Sequence, residues 1–331
     1  MRDQELTRSV WDVDAAAFPS GRPAEEQARF LLRYAVLAPS SHNSQPWRFR
    51  ITGSVVEVLP DEERWLASAD PDRRELFLSV GCAVANLRVA AERFGFSPHV
   101  DYDTGGDDDV AAVVTLLGGQ EPSRRTRELF DAVTERYTSH TPFEDRPVEP
   151  AARERIERAV ESVDLYLLDP GARDDLAALQ AEADRRLMDD PDYRRELGHW
   201  VGIGALGSSW LAARIGQVVL THLDLGDREA AKSSKLLDST PLVAVLATDG
   251  DDPVERVRAG QAFERAALAA AAEGVAVHPM SQTLERPDTR ERLRELVGCE
   301  GRPQHLFRLG YASECPEHTP RWPVEAFVEE A

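Results

Sequence analysis

Ala38-Pro39-Ser40-Ser41-His42-Asn43-Ser44-Gln45-Pro46-Trp47 is the most informative run of residues in the chain. It follows an amphipathic stretch with Phe30, Leu31, Tyr34, Ala35 and Leu37 at helical spacing. It leads into the alternating Trp47-Arg48-Phe49-Arg50-Ile51, so the period changes from helix to strand across it. A loop at that junction offers hydroxyls, carboxamides and free backbone amides beside a rigid Pro-Trp wall. Such groups suit a flat heteroaromatic ligand with polar edges, and a flavin meets that description. Trp47 opens the strand and reads as core.

Working outward, two stretches share one plan. Residues 71–94 read as a helix with Asp70 as its cap, Pro71 in the first turn and Gly95 as its stop. Residues 253–273 repeat those roles with Asp252, Pro253 and Gly274, and the stops fall in register when Gly81 is aligned with Gly260. Strand-like stretches follow in both, 96–100 and 275–279, then 110–117 and 305–310. The repetition predicts a duplicated α+β unit, with halves 1–125 and 126–331. Special residues are divided between the copies. The first half carries the Ser/Asn/Gln loop, whereas the second opens with Arg136-Tyr137-Thr138-Ser139-His140-Thr141-Pro142-Phe143. One complete site is expected from two copies. From about 185 to 238 the chain reads as irregular, a lid-like insertion in the second half.

Composition narrows the function. The net charge of −20 is spread along the chain, which excludes nucleic acid and anionic membranes as partners. No apolar run approaches the roughly 18 residues of a membrane span. Residues 1–5 lack the apolar stretch of a signal peptide, and a cytoplasmic location is expected. Cys82, Cys299 and Cys315 lack metal-ligand spacing, as do the eight histidines, and no metal is expected. The glycines at 202, 204 and 207 lie in a broken apolar stretch, not between a strand and a helix, and carry no nucleotide role. Lysine is confined to Lys232 and Lys235.

Residues 39–47 match without a gap the pattern Pro-Ser-Ser/Ala-x-Asn-x-Gln-Pro-Trp. Arg136, Thr138, His140 and Phe143 match Arg-x-Ser/Thr-x-Arg/Lys followed by Phe, with histidine in the last cationic place. Leu309-Gly310-Tyr311, then Pro320-Arg321, are similar to the closing stretch of the same family. On these residues the chain resembles the nitroreductase-like flavoproteins, and within them the long, fused Acg-type branch.

The resemblance implies an α+β fold in which two nitroreductase-like halves of one chain form an intramolecular pseudo-dimer. It implies one FMN, bound without a covalent link between the halves, and a second pseudo-site lacking its matching elements. Arg136 and Arg321 would take the phosphate, whose oxygens fit a guanidinium fork. Pro39, Ser40, Ser41 and Asn43 would line the ring and ribityl chain, with Thr138 and His140 beside them. Lys235 would face flavin N1 and O2, and Pro279, Met280 and Ser281 would neighbour the ring. The implied activity is oxidoreduction through flavin N5, with NADH or NADPH as donor and an electron-poor small molecule as acceptor. No side chain need act as a general base. A second reading is FMN storage beneath a lid, with little or no turnover.

Overall fold

Alternation of buried and half-exposed residues sets the first sheet. β1 (Trp47–Thr52) and β2 (Val55–Pro60) pair antiparallel, with Trp47 opposite Pro60 and Thr52 opposite Val55. Gly53 closes their hairpin at φ +60°, where a Cβ would be strained. The structure, a computed structural model, describes residues 5–102, 110–119, 121–207, 210–223 and 225–329.

In chain order, α1 (Ala24–Ala35), β1 and β2 are followed by α2 (Arg74–Arg93), β3 (Phe96–Asp101) and β4 (Ala112–Gly118). Helices α3 (Arg124–Val133) and α4 (Pro150–Glu157) lead to β5 (Asp164–Leu167). Four more helices precede the next strand: α5 (Arg173–Asp189), α6 (Pro191–Gly202), α7 (Trp210–His222) and α8 (Gly226–Asp238). The chain closes through β6 (Leu242–Thr248), α9 (Pro253–Ala272), β7 (Ala276–Pro279), α10 (Pro287–Val297) and β8 (Arg302–Gly310). The two four-stranded sheets have the orders β1-β2-β4-β3 and β5-β6-β8-β7, with every pairing antiparallel. Each places its long helix, α2 or α9, between the second and third strands of its set. The fold is α+β, and no described helix is long and apolar enough to cross a membrane.

Helices α2 and α9 cross where both carry glycine. A Cβ on Gly81 would lie 2.1 Å from the Val257 carbonyl oxygen, and one on Gly260 would lie 2.0 Å from that of Leu78. Leu78 and Val257 stand three residues before the glycine of their own helix, so the two contacts are reciprocal. Alanines keep the rest of the seam thin: Ala83, Ala259, Ala262 and Ala266 are fully or almost fully buried. One continuous apolar core runs from Phe30 and Trp47 through this crossing to Phe307 and Leu309.

Two expectations about elements need correction. Helix α2 begins at Arg74, not at 71, because Arg73 takes a left-handed φ of 62°. Asp70 still caps it from outside, its carboxylate accepting from the amides of Glu75 and Leu76 at 2.9 Å. The stretch 185–238 is helical where described, not irregular. Its glycines serve packing: a Cβ on Gly198 would meet Thr221 Oγ1 at 2.6 Å, and one on Gly202 would meet Gln217 Oε1 at 2.4 Å. They let α6 and α7 lie close together, while Gly204 and Gly207, both at positive φ, form the turn between them. The polar run read from Asp224 begins outside the described residues, and its remainder opens α8.

The chain's end crosses back to the first sheet. Phe49 donates its amide to the Phe327 carbonyl at 2.8 Å, and Glu329 returns an amide to Phe49 at 2.9 Å. Glu329 also pairs with Arg48 and Arg50. Residues 318–329 thus pack on the half that does not contain them in sequence.

Asp251 ties the start of α9 to α10 through Arg256 and Arg290, with Arg290 bidentate at 2.8 and 2.9 Å. Although partial burial opposes it, Arg290 and its hydrogen bonds hold the Asp251 carboxyl down at about 2. A depressed carboxylate stabilises the fold above its unfolded value near 4 and loses that contribution as pH falls toward 2. Asp251→Asn is therefore expected to cost about 1 kcal/mol at pH 7, after discount for solvent screening. Urea melts should show the cost shrinking as pH falls from 4 to 2.

Candidate functional site

The 38–47 loop is held in a conformation that ordinary side chains resist. His42, Asn43 and Gln45 all take left-handed backbone angles, with φ of 51°, 55° and 54°. Such strain persists only where surroundings over-determine it, and it gathers at ligand sites. Here the ties are explicit. Asn43 donates to the carbonyls of Ala205 and Pro320, both at 2.8 Å. Gln45 receives the Trp322 amide on Oε1, and its own amide donates to Ser40 Oγ. Ser41 Oγ donates to the buried carboxylate of Glu75 on α2. Both serine hydroxyls are thus partly spent on the loop's shape, while Pro39, Ser40 and Ser41 remain only half-buried. Trp47 is fully buried, as core.

Arg136 and Arg321, far apart in sequence, meet behind this loop. Arg136 Nη2 donates to the Leu37 carbonyl at 3.2 Å and Arg321 Nη2 to that of Ala38 at 3.3 Å. Only 5% of Arg136 and 3% of Arg321 are exposed. Between them α9 contributes Glu264, fully buried, with Oε1 3.2 Å from Arg136 Nε. The contact is ionic rather than hydrogen-bonded: Arg136 Nε, Arg321 Nε and both Glu264 oxygens have no hydrogen-bond partner. Burial and the neighbouring guanidinium of Arg136 pull Arg321 down to about 9. Burial also pushes Glu264 up to about 7, against the pull of both arginines.

A cavity of about 420 Å³ opens beside Arg136, bounded by Tyr137, Ala267, Ala271, Val277 and His318. That lies within the roughly 300–1,000 Å³ of small-molecule sites. His318 is stacked on Trp11 with ring centres 4.0 Å apart, and Trp11 Nε1 donates to the Thr319 carbonyl. Thr7 pairs main chain with Arg321, so residues 7–11 brace the stretch that carries His318.

The 136–143 segment runs from this cavity along the second sheet. Thr138 forms an isolated bridge with Val277, and the amide of Ser139 donates to the Val277 carbonyl at 3.0 Å. His140 stands edge-on to His278, with centroids 4.6 Å apart. The ring of His140 is open to solvent, yet desolvation by its surroundings, helped by Lys232 and Arg308, lowers it to about 4. Lowered in this way, His140 is neutral at pH 7. The permanent charge there is Arg308, buried in β8 and donating to the carbonyls of Ser139 and Thr141 and to His278 Nδ1.

The remaining expected residues divide. Lys235 is exposed on α8, and the lysine whose charge reaches His140 and His278 is Lys232, one turn earlier. Met280 is buried in a small second core, with its amide committed to Leu306. Pro279 and Ser281 on either side of it are half-buried. Sequence reading did not pick out Glu264, His318 or Arg308. For Glu264 a signal exists, a lone acid in the Ala-rich run 262–272 on the face shared by Ala267 and Ala271. For the other two only the fold reveals the placement.

No family model matches the chain. A Mycobacterium tuberculosis protein named "Putative NAD(P)H nitroreductase" is 29% identical over 334 residues, covering 98% of this chain and 97% of that one. A second from the same organism, with the same name and the designation acg, is 26% identical over 306 residues, covering 89% and 92%. Among solved structures, the FMN-dependent nitroreductase NfnB from Mycobacterium smegmatis in complex with NADPH aligns with 62% of this chain and 98% of its own. Its identity is 18% and its TM-score 0.43. Over nearly its whole length the chain is thus similar to proteins named as NAD(P)H nitroreductases, Acg among them.

Proposed function

We propose that the chain binds one FMN between its halves and acts as an NAD(P)H-dependent oxidoreductase of nitroreductase type. The observation that carries this reading is the buried pair Arg136 and Arg321, joined to the carbonyls of Leu37 and Ala38 at the root of the 38–47 loop. Buried guanidinium nitrogens without partners suit an incoming phosphate, because desolvated donors lose most when left unpaired. The adjoining cavity has room for a ligand, and the residue types fit FMN. The curated relatives' names point the same way.

When bound, FMN would supply the redox chemistry, hydride exchange with a nicotinamide donor and electron transfer to an electron-poor acceptor. The chain's residues bind and orient. Arg136, Arg321 and His318 would hold the phosphate end, while Pro39, Ser40, Ser41 and Asn43 would lie along the ring and ribityl chain. Thr138, His140, Pro279 and Ser281 would form the opposite wall. Arg308 supports developing negative charge there through the dipoles of the 139–141 segment, in place of the neutral His140. Lys235 would have to turn inward from α8 to assist.

The same proposal makes the two halves an intramolecular pseudo-dimer. In its favour stand the matching strand orders, the reciprocal glycine contacts of α2 and α9, and the return of residues 327–329 to β1. The site draws its loop from the first half and its cations from the second.

One observation favours the storage reading: the α6–α7 turn sits on the loop, with the Ala205 carbonyl bonded to Asn43. Anaerobic mixing of FMN-loaded protein with NADPH and then NADH decides. Rapid bleaching, with colour restored by a quinone or nitroaromatic, is the expected result. Reduction by dithionite but by neither nucleotide would replace turnover with storage. Ser41→Trp is expected to weaken FMN at least tenfold by filling the ring pocket, measured by fluorescence titration. Unchanged affinity would place the ring elsewhere.

A further inference from the structure

We propose that Glu264 is the proton acceptor that couples FMN capture to pH, taking up one proton from solvent as the phosphate settles against Arg136 and Arg321. This rests on the proposed FMN site and deepens it. The geometry is specific. Glu264 lies on the face of α9 that continues, through Ala267 and Ala271, as the cavity wall, and it stands 3.2 Å behind Arg136, which lines that cavity. It has no exposed surface, and its charge is compensated by the two guanidinium groups, with a smaller contribution from the Asn86 amide on α2.

Charge accounting follows from that enclosure. Two arginines and one carboxylate leave one net positive charge. A phosphate dianion brings the cluster to one net negative charge in a desolvated pocket, a costly state. Protonation of Glu264 restores neutrality: its carboxylate gains a proton from water or buffer and remains as a neutral acid beside the arginines. Burial already holds Glu264 high, at about 7, and an added anion raises it further.

The other groups facing Glu264 do not offer the same response. From the C-terminal stretch, Arg321 is cationic, and His318 is lowered by burial and by both arginines. From α2, the Cys82 thiol is buried and raised well above its ordinary value, and it stays protonated. Asn86, also on α2, does not titrate. Free phosphate itself titrates near pH 6 and Arg321 near 9, so the window that isolates Glu264 is pH 7–8.

Calorimetric titration of the full chain with FMN at pH 8, in two buffers of different ionisation enthalpy, tests the idea. The expected result is uptake of close to one proton per FMN, with affinity falling up to tenfold per pH unit across the window. Riboflavin, which lacks the phosphate, should show no uptake. Glu264→Gln should bind FMN with no uptake and a flat pH profile, and about tenfold more tightly than wild type at pH 8. Infrared difference spectra of the wild type should gain a protonated carboxylic acid band on FMN addition, which serves even if the variant folds poorly. FMN binding without proton uptake, or uptake that persists in Glu264→Gln, would overturn the proposal and leave the site intact. Equal affinity for FMN and riboflavin would overturn the phosphate site, and the proposal with it.

Discussion

Arg136→Ala is expected to release FMN, giving colourless protein with affinity down by roughly a hundredfold or more. The loss has two parts. Each hydrogen bond from a guanidinium to a phosphate oxygen is worth about 1.5–3 kcal/mol, and Arg136 can supply two. Its removal also leaves Glu264 without its nearest counter-charge, 3.2 Å away. An isolated buried carboxylate protonates rather than remain charged, so the variant's stability should depend on pH more steeply than the parent's. The sign is fixed by linkage. Glu264 is raised in the folded state, so stability is full below its unfolded value near 4 and is lost as pH rises through the folded value. With Arg136 gone the folded value climbs, and the loss extends beyond pH 7. The double variant Arg136→Ala, Glu264→Gln should recover thermal stability at pH 8 without recovering FMN. Full FMN retention by Arg136→Ala would remove this residue from the phosphate site.

Gly260→Val should have the largest effect on folding, with a loss of about 3 kcal/mol or more. A Cβ there stands 2.0 Å from the Leu78 carbonyl oxygen and 3.0 Å from Gly81 Cα, and main chain on a packed helix cannot step aside. The helices must separate, and because the site spans both halves, FMN binding should fail with them. Gly202→Ala is the control. Its clash is with the tip of Gln217, a flexible side chain that can turn away, so the cost should stay below about 1 kcal/mol. Urea denaturation of the two variants checks the contrast. Equal costs would mean that the α2–α9 crossing is not the tight element described.

Much of this architecture was legible because its signals are local. Capped helices with glycine stops and alternating strands are written within a few residues of where they act, and Asp252, Pro253 and Gly274 do what their types dictate. The alignment of Gly81 with Gly260 carried more than a local signal, since both glycines lie at the helix crossing. The insertion was misread because its glycines resemble helix breakers, whereas the partner helix gives them their purpose. Helix α2 was placed too early because Arg73 adopts a left-handed angle that nothing in its type announces.

The site divides in the same way. The loop and the two buried arginines, Arg136 and Arg321, carry a recognisable pattern, so they could be named. Glu264, His318 and Arg308 reach the site only through tertiary packing, from a mid-helix position, the chain's last stretch and a central strand. Lys235 shows the converse. Its rarity makes lysine conspicuous, but both lysines lie exposed on α8, and it is Lys232, paired with Glu229, whose charge is felt at the histidines.

The central claim is that one chain assembles one complete FMN site from its two halves. Titration of the FMN-free protein with FMN, followed by flavin fluorescence and by native mass at saturation, tests it most directly. One FMN per polypeptide, with a monomer sufficient to hold it, is the expected result. Two FMN per polypeptide, or one shared by two chains, would contradict it.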